Sequence, residues 1–154
     1  MVSVVFFDID GVLTDGSVYV DAMGKETKRI QFDDIDAIFK LKRAGIKIGF
    51  ITGEDNEFCK YVKNRFSPDF FIEGCKDKLA SFKELAKNNY LEKNDVCYAG
   101  DSERDIELLK YVGHSFVPND VDSKVKSSAK VVLTVSRGQG VIKELTNLVL
   151  EKNN

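Results

Sequence analysis

The sequence predicts an α/β fold, a Rossmann-like doubly wound parallel sheet that forms one domain over residues 1–154. Three observations predict it. Short apolar runs alternate along the chain with longer amphipathic stretches. Several runs are almost continuously apolar, as in parallel strands that helices cover on both faces. The length of 154 residues suits one domain, and 43% of the residues are hydrophobic, enough for a sizeable core.

The elements follow one another in regular alternation. The apolar runs predict strands at 2–7, 46–51, 70–73, 95–99, 114–118 and 130–134. The amphipathic stretches predict helices at 34–44, 55–66, 77–89, 103–112 and 139–151. Ser102 is expected to be the N-cap of the fourth helix, because Asp105 follows three residues later as in a capping box. Strands joined through helices are expected to run parallel, with right-handed crossovers.

Residues 17–32 break this alternation. Their apolar and polar residues alternate with period two on either side of a turn at residues 22–24, which predicts a β-hairpin that protrudes from the sheet. The last part of the chain, residues 136–154, is expected to form a tail followed by the final helix.

Composition limits the classes of function. The formal net charge of −2 gives no basic surface for nucleic acid, and no apolar run approaches the length of a membrane span. The chain begins directly with a strand-like run, without signal-peptide features. The three cysteines are widely spaced, which is neither a disulfide framework nor a zinc pattern. We therefore expect a cytoplasmic protein that binds neither nucleic acid nor membrane.

Two carboxylates, Asp8 and Asp10, follow the first predicted strand. The carboxyl edge of an open parallel sheet is where such folds bind ligands, and the apolar run brings Asp8 to that edge. Two carboxylates this close are costly unless a cation lies between them, and an oxygen-seeking cation such as Mg²⁺ is the natural partner. The alternative is an acidic turn in solvent, against which the preceding apolar run argues.

Carboxylates also follow the strand at 95–99. Asp101 can complete the oxygen shell of a metal beside Asp8 and the backbone carbonyl of Asp10. Asp105, in the first turn of the next helix, can orient that shell. Asp105 can equally serve as part of the helix cap, and the two roles are compatible.

A possible phosphate seat follows the second strand. Thr52 offers a hydroxyl and Gly53 an exposed backbone N–H, which together can bind phosphoryl oxygens. Lys78 follows the short strand at 70–73 and can point into the same pocket. Each signal is weak alone, because Thr-Gly after a strand is common and most lysines are solvated surface charges.

Taken together in chain order, these residues resemble the haloacid dehalogenase superfamily of phosphotransferases. Its pattern is DxDG, then Thr or Ser after the second strand, then Lys, then GDxxxD. This chain matches the pattern at residues 8–11, Thr52, Lys78 and residues 100–105. One departure is Ser102, where many members carry a second Asp.

The resemblance implies a Mg²⁺-dependent phosphatase that forms an aspartyl-phosphate intermediate. Asp8 would be the nucleophile, and Asp10 would protonate the leaving alkoxide and then deprotonate the hydrolytic water. Thr52 and Lys78 would hold the phosphoryl oxygens. The expected metal-binding residues are Asp8, Asp10, Asp101 and Asp105.

A closer resemblance extends over nearly the whole chain. The 17–32 hairpin and the 54–78 stretch are too short for the cap domain that many superfamily members carry. The hairpin region from Leu13 to Asp34 and the tail from Arg137 to Glu144 look like the 3-deoxy-manno-octulosonate 8-phosphate phosphatase family. That family includes the phosphatase-like domains of sialic-acid enzymes. The departures from its pattern are Arg137 for a glycine, Lys143 for an arginine and Ala37 for a glycine.

This closer resemblance implies a homotetramer in which hairpins associate and neighbouring subunits complete each active site. Thr14, in the Leu13-Thr14-Asp15-Gly16 stretch, and Arg137, in the tail, are expected among the substrate-binding residues. The tail would then approach the site of a neighbouring subunit.

The implied substrate is a phosphorylated 2-keto-3-deoxy sugar acid. Octulosonate 8-phosphate phosphatases usually have Thr-Gly-Arg after the second strand, whereas this chain has Thr52-Gly53-Glu54, like nonulosonate 9-phosphate members. Gly53 and Glu54 are therefore expected at the substrate, where Glu54 can accept hydrogen bonds from polyol hydroxyls. Alternatively Glu54 only caps the helix at 55–66, and the eight-carbon acid stays an alternative. The candidate cations for the substrate carboxylate are Lys63, Arg65 and a neighbour's Arg137.

Two other classes of protein are alternatives. A receiver-type signalling domain also has an Asp phosphoacceptor and Mg²⁺ on a similar sheet, but its phosphoacceptor follows the third strand. A phosphatase-like domain without activity could act only in oligomerisation, yet Asp8, Asp10, Lys78 and Asp101 are all present here.

Overall fold

Six parallel strands form the central sheet of the computed structural model, which describes residues 1–154. In chain order the strands are β1 (Val4–Phe7), β2 (Tyr19–Val20), β3 (Glu26–Thr27), β4 (Lys47–Ile51), β5 (Phe70–Ile72), β6 (Val96–Ala99), β7 (His114–Val117) and β8 (Val131–Val132). The sheet order is β5-β4-β1-β6-β7-β8, and β2 pairs only with β3. The predicted α/β class with a Rossmann-like parallel sheet is confirmed.

Strand β1 lies at the centre of the site-bearing edge. Phe7 at its end is in register with Phe50 of β4 on one side and with Ala99 of β6 on the other. The residues that follow these three strands therefore emerge side by side at the carboxyl edge of the sheet. Val5 and Phe7 belong to the core cluster on one face, and Val4 and Phe6 belong to the cluster on the other.

Helices cover both faces of the sheet. The helices are α1 (Phe32–Arg43), α2 (Glu57–Phe66), α3 (Lys78–Asn88), α4 (Ile106–Tyr111), α5 (Ser123–Lys126) and α6 (Val141–Asn153). Helices α1, α2 and α6 pack on the face of Val5 and Phe7, and α3, α4 and α5 pack on the other. Complete burial of a Phe side chain contributes about 1.5–3 kcal/mol, so the apolar strands anchor both layers.

The predicted helices differ from the observed ones mainly at their ends. Helix α1 begins at Phe32, two residues before the predicted start, because Gln31 is its N-cap. The predicted helix at 103–112 is a 3₁₀ turn, Glu103–Asp105, followed by α4. The capping box of Ser102 and Asp105 is present as predicted. None of the helices combines the length and apolar character that a membrane crossing requires.

The predicted hairpin is present and stands apart from the sheet. Tyr19 pairs with Thr27 and Val20 with Glu26 in an antiparallel ladder. The Asp21 side chain closes the turn, because its Oδ1 accepts the backbone N–H groups of Met23 and Lys25, each at 2.9 Å. The hairpin is shorter than the predicted 17–32 range, since Phe32 belongs to α1. No cap domain covers the site-bearing edge of the sheet.

Candidate active site

A polar cavity of about 260 Å³ opens at the carboxyl edge of β1, β4 and β6. None of the residues around it is hydrophobic, which sets it apart from an ordinary apolar ligand pocket. Its lining residues are Asp8, Asp10, Gly16, Thr52, Gly53, Glu54, Lys78, Asp101, Ser102 and Arg104. Most of the residues singled out from the sequence therefore meet in one place.

Asp8 is buried at the floor of this cavity, directly after β1. Its Oδ1 accepts the backbone N–H of Ile9 at 2.8 Å and lies 3.1 Å from Lys78 Nζ. The chain then turns sharply through Gly11, whose φ is 87°. A Cβ at Gly11 would lie 1.8 Å from Asp101 Oδ2, so only glycine lets the loop pass the carboxylate.

Three carboxylates, of which Asp8 is one, lie close together at this edge of the sheet. Asp8, Asp101 and Asp105 each present an oxygen, and these oxygens lie within 4.8 Å of one another. Burial raises the pKa of Asp101 to about 6, and the charge of Asp105 adds to this effect. Burial and the charge of Asp105 also raise the pKa of Asp8 well above its usual range, against the opposing effect of Lys78. The cluster thus holds more negative charge than its one buried lysine neutralises.

This donor set fits a divalent metal ion. Hard cations such as Mg²⁺ prefer carboxylate and carbonyl oxygens, and a cation would remove the repulsion that raises the two pKa values. Asp8 and Asp101 border the cavity and have room for such a ligand role. Asp105 is completely buried behind them, so it is placed to orient its neighbours.

Asp105 is held by five hydrogen-bond donors. Oδ1 accepts from Lys78 Nζ at 2.7 Å and from the Tyr98 hydroxyl at 2.5 Å. Oδ2 accepts the backbone N–H groups of Asp101 and Ser102 at 2.9 and 3.0 Å, and the Ser102 hydroxyl at 3.3 Å. Burial would raise the pKa of Asp105, but Lys78, the Tyr98 hydroxyl and the Ser102 N–H together lower it. Asp105 therefore stays ionised and fixes the loop that carries Asp101.

Lys78 is a buried cation between two carboxylates. It opens α3 after the N-cap Asp77, and its Nζ reaches both Asp8 and Asp105. Burial would lower the pKa of Lys78, but Asp8 and Asp105 outweigh this and raise it above its usual range. The alternative of a solvated surface lysine is therefore wrong, and the cation faces the cavity as predicted.

Thr52, Gly53 and Glu54 line the opposite wall of the cavity. The Thr52 hydroxyl oxygen accepts the Glu54 backbone N–H at 3.0 Å, so its own proton can be donated to a ligand. Glu54 does not cap the following helix, because the N-cap of α2 is Asn56, whose side chain accepts from Cys59 N–H. The capping alternative for Glu54 is therefore wrong.

A second cavity of about 300 Å³ shares Asp10, Gly16 and Glu54 with the first one. Its other lining residues come from the base of the hairpin and the start of α2: Ser17, Val18, Glu26, Lys28 and Asn56. Lys28 Nζ lies 2.8 Å from Asp10 Oδ1 and 5.1 Å from the centre of the Phe58 ring. The hairpin thus supplies a cation to Asp10 and extends the site away from Asp8.

Two expected substrate-binding residues are not at the cavity of their own chain. Thr14 is completely buried, and its hydroxyl oxygen accepts the backbone N–H groups of Gly11 and Gly16. Thr14 therefore closes the loop beneath the cavity, which corrects the expected substrate contact. Arg65 is exposed on α2 and is absent from the walls of both cavities. Lys63, the other candidate on α2, forms an ion pair with Glu73.

Arg137 lies close to two carboxylates of its own chain. Its guanidinium lies beside Asp101 and Asp120 of its own chain and does not line either cavity. The tail around it is bound to the same subunit, since Arg29 donates to the Gly138 carbonyl oxygen at 3.0 Å. Within this chain Arg137 is thus a neighbour of a predicted metal ligand, and its contact with the substrate of a neighbouring subunit stays a prediction.

Three residues of the site were not singled out as functional from the sequence. Tyr98 is the one polar side chain in β6, and a hydroxyl within an otherwise apolar strand was the available signal. Lys28 gives no comparable signal, because the hairpin pattern does not show that its side chain turns back to Asp10. Arg104 lies on the cavity wall after β6, next to recognised motif residues.

Comparisons with known proteins agree with this site. A family model described as haloacid dehalogenase-like hydrolase matches residues 69–145. The 3-deoxy-D-manno-octulosonate 8-phosphate phosphatase of Haemophilus influenzae is 28% identical over 147 residues, which cover 96% of this chain and 82% of that protein. The N-acylneuraminate cytidylyltransferase A of Danio rerio is 28% identical over 153 residues, which cover 97% of this chain and 35% of that protein.

A solved structure shows the same fold. The crystal structure of 3-deoxy-D-manno-octulosonate 8-phosphate phosphatase from Moraxella catarrhalis, in complex with a magnesium ion, a phosphate ion and KDO, matches with a TM-score of 0.92. The sequence identity is 25%, and the match covers 97% of this chain and 86% of that one.

Proposed function

This chain belongs to the haloacid dehalogenase-like hydrolase family and is a magnesium-dependent phosphatase, and we propose that it hydrolyses a phosphorylated 2-keto-3-deoxy sugar acid through an aspartyl-phosphate intermediate. One observation carries the proposal. Asp8, Asp101 and Asp105 converge within 4.8 Å, and Lys78 is buried among them. Family membership removes the receiver-type alternative.

In the first step a carboxylate oxygen of Asp8 attacks phosphorus, and the bond between phosphorus and the ester oxygen breaks. Asp10, on the cavity wall beside the second cavity, donates its proton to the leaving alkoxide. The Thr52 hydroxyl and the Lys78 ammonium bind the phosphoryl oxygens as charge develops on them.

In the second step water attacks the phosphorus of aspartyl phosphate. Asp10 accepts the proton of this water, the bond from phosphorus to Asp8 breaks, and inorganic phosphate leaves. Asp105 does not touch the reacting atoms in this scheme. It keeps Lys78 and the Asp101 backbone in place through its hydrogen bonds.

Mg²⁺ would be held by the side chains of Asp8 and Asp101 and by the backbone carbonyl of Asp10, with Asp105 orienting this set. When bound, it neutralises the repulsion between the Asp8 carboxylate and the phosphate dianion. Burial raises the pKa values of Asp8 and Asp101, and a cation bound between these carboxylates would offset that cost, which supports this assignment.

The second cavity supports a sugar acid as the leaving group. It begins at Asp10, where the leaving oxygen is protonated, and is lined by Ser17, Glu26 and Asn56, which can hydrogen-bond hydroxyl groups. Glu54 borders both cavities and is free of a capping role. A glutamate here suits the hydroxyls of a longer polyol chain and repels a carboxylate, which favours a nonulosonate 9-phosphate. The named phosphatase relatives favour the octulosonate 8-phosphate.

The chemistry is tested with p-nitrophenyl phosphate, assayed with Mg²⁺ and with chelator. Turnover is expected only with Mg²⁺, and Asp8→Asn is expected to lower it by at least about 10³-fold without loss of the fold, because an amide cannot act as the nucleophile. Asp36→Asn, an exposed change on α1, is the matched control. Near-normal turnover in a folded Asp8→Asn variant would reject the nucleophile, and no turnover in the wild type would favour the idle oligomerisation domain.

The substrate is tested by comparing kcat/KM for the 8-phosphate of the eight-carbon acid and the 9-phosphates of nine-carbon acids. We expect the nine-carbon substrates to be preferred by about tenfold or more, which is about 1.4 kcal/mol of transition-state binding. The reverse preference would reject the nonulosonate assignment. Glu54→Arg is expected to shift selectivity toward the eight-carbon acid, and unchanged selectivity would exclude Glu54 as the discriminating residue.

We further propose that the protein is a cytoplasmic homotetramer. The three cysteines are unpaired, which suits a reducing compartment. The hairpin exposes apolar side chains that an intersubunit contact would cover. Arg65, which is exposed on α2, stays the proposed cation for the substrate carboxylate.

A further inference from the structure

Arg137 is a cation placed directly behind the proposed metal site. Its Nη1 lies 3.6 Å from Asp101 Oδ2, and only 9% of the Asp101 side chain is exposed. Asp101 Oδ2 is the same oxygen that Gly11 passes at close range. The guanidinium therefore lies beside the carboxylate of a predicted metal ligand.

The position of Arg137 is fixed by Asp120. The Arg137 backbone N–H donates to Asp120 Oδ1 at 2.9 Å, and its Nε donates to Oδ2 at 3.2 Å. The guanidinium also reaches the Asp120 backbone carbonyl oxygen at 3.4 Å. Asp120 thus holds both the backbone and the side chain of Arg137, and it partly neutralises the guanidinium charge.

Two glycines make room for the stem of Arg137. A Cβ at Gly11 would lie 3.2 Å from Arg137 Cδ, and a Cβ at Gly16 would lie 3.6 Å from the same atom. Both glycines have positive φ and belong to the loop that follows Asp8. The stem of the arginine packs against this loop, while 36% of its side chain stays exposed.

We propose that Arg137 is a positioning residue that serves as the internal counter-ion of Asp101, so that Mg²⁺ must bind against a resident positive charge. The proposal rests on the proposed function only in taking Asp101 as a metal ligand. Without metal, Arg137 offsets part of the crowded negative charge at Asp101. Its charge also repels the incoming cation, and the negative charge of Asp120 determines how strong this repulsion is.

The proposal predicts opposite effects for two neighbouring variants. Arg137→Gln removes the opposing charge, and we expect the Kd for Mg²⁺ to fall about three- to tenfold. Asp120→Asn removes the charge that tempers Arg137, and we expect the Kd to rise about threefold. If this pair had a purely structural role, the Kd for Mg²⁺ would instead change in the same direction in both variants. Arg137→Lys keeps the charge and should stay within about twofold of the wild type.

Calorimetric Mg²⁺ titration without substrate measures these affinities. Lys143→Gln is the matched control, because it removes one positive charge from the same tail at an exposed pair with Asp33. The thermal midpoint provides a second readout. Without metal, the Arg137→Gln variant should have a lower thermal midpoint than the wild type. Saturating Mg²⁺ should raise the midpoint of the variant by more than it raises the midpoint of the wild type.

A Kd in Arg137→Gln that is unchanged or higher would overturn the proposal, as would the same direction of change in both variants. Neither readout uses a phosphate ester. Failure of the sugar-acid phosphates as substrates would therefore count against the proposed function and leave the role of Arg137 intact.

Discussion

At the residue scale, the site depends on side chains whose hydrogen-bonding capacity is fully used. Asp105 accepts from Lys78, Tyr98 and Ser102 side chains and from two backbone N–H groups. Because both its oxygens accept from these donors, Asp105 is placed to orient its neighbours, and its part in metal binding stays a prediction. The capping role of this carboxylate is confirmed, and metal support, which the sequence left as a compatible role, stays a prediction.

Tyr98→Phe tests this network. The Tyr98 hydroxyl is fully buried and donates to Asp105 at 2.5 Å, and Lys78 Nζ lies 3.4 Å from it. Loss of a buried hydrogen bond to a charged group should lower the free energy of unfolding by about 1.5–3 kcal/mol. We expect kcat to fall about tenfold with little change in KM, because Lys78 loses orientation rather than charge.

Denaturant unfolding and steady-state kinetics measure these two effects. Tyr111→Phe is the matched control, since this half-buried ring packs against Phe82 outside the site. Wild-type stability and kcat in Tyr98→Phe would show that Asp105 and Lys78 are positioned without the hydroxyl.

Asp10→Asn separates proton transfer from metal binding. The backbone carbonyl of residue 10 is unchanged, and an asparagine can still accept from Lys28. We expect kcat to fall by about 10²–10⁴-fold on an alkyl phosphate and much less on p-nitrophenyl phosphate, whose leaving group needs no protonation. Equal losses on both substrates would remove Asp10 from the role of general acid.

At the scale of elements, α1 and α6 are joined through a buried carboxylate. Asp34 on α1 is 1% exposed, and its Oδ1 accepts the backbone N–H of Lys143 at 2.9 Å in the first turn of α6. Gly140, the N-cap of α6, has no side chain to satisfy these groups. Asp34 therefore caps α6 from another helix, which fixes the tail that carries Arg137.

This cap makes stability depend on pH. Burial raises the pKa of Asp34 to about 6, against the lowering effect of the Lys143 and Ile142 N–H groups. The folded state then binds this proton more tightly than the unfolded chain, so the stabilisation is greatest at low pH and is lost as pH rises through about 6. Asp34→Asn cannot titrate and should lack this component.

The expected measurement is the difference in unfolding free energy between the wild type and Asp34→Asn. It should decrease by about 1 kcal/mol between about pH 5 and pH 7.5, since one pKa unit corresponds to about 1.4 kcal/mol. The titration of Asp8 and Asp101 contributes equally to the stability of both proteins, so it cancels in this difference. Asp36→Asn, which removes an exposed carboxylate from the same helix, is the matched control.

At the scale of the whole molecule, the hairpin is the element whose strands pair with no other strand of the chain. Val20 and Met23 are 58% and 92% exposed, and the two short strands pair only with each other. A two-stranded hairpin is marginally stable alone, so contact between hairpins of different subunits would both cover its apolar side chains and stabilise it.

Val20→Lys is therefore expected to convert the proposed tetramer into smaller species, because it places charges within the proposed contact. Light scattering of the wild type should give the mass of four chains. Tyr90→Lys changes an equally apolar, 92% exposed residue outside the hairpin and should leave the tetramer intact. A fully active wild-type monomer at assay concentration would contradict the assembly.

Sequence alone was sufficient for the sheet, the edge that carries the site and the motif residues on it. The reason is that β1, β4 and β6 are short, almost fully apolar and buried on both faces. Such a pattern is typical of the central strands of a parallel sheet and fits few other structures. The polar residues that follow such strands must then meet at one edge, and Asp8, Thr52 and Asp101 do so.

Tertiary structure decided the contacts between segments that are distant in sequence. Lys28 reaches Asp10 because the hairpin folds back, and Arg137 lies behind Asp101 because Asp34 caps α6 across 109 residues. Thr14 was assigned by its position in a motif and Arg65 by its position on the helix after Glu54, yet side-chain direction depends on the loop and helix that carry them. Local patterns record which residues share a strand or helix, whereas the partner of a buried charge is set by the packing of the whole chain.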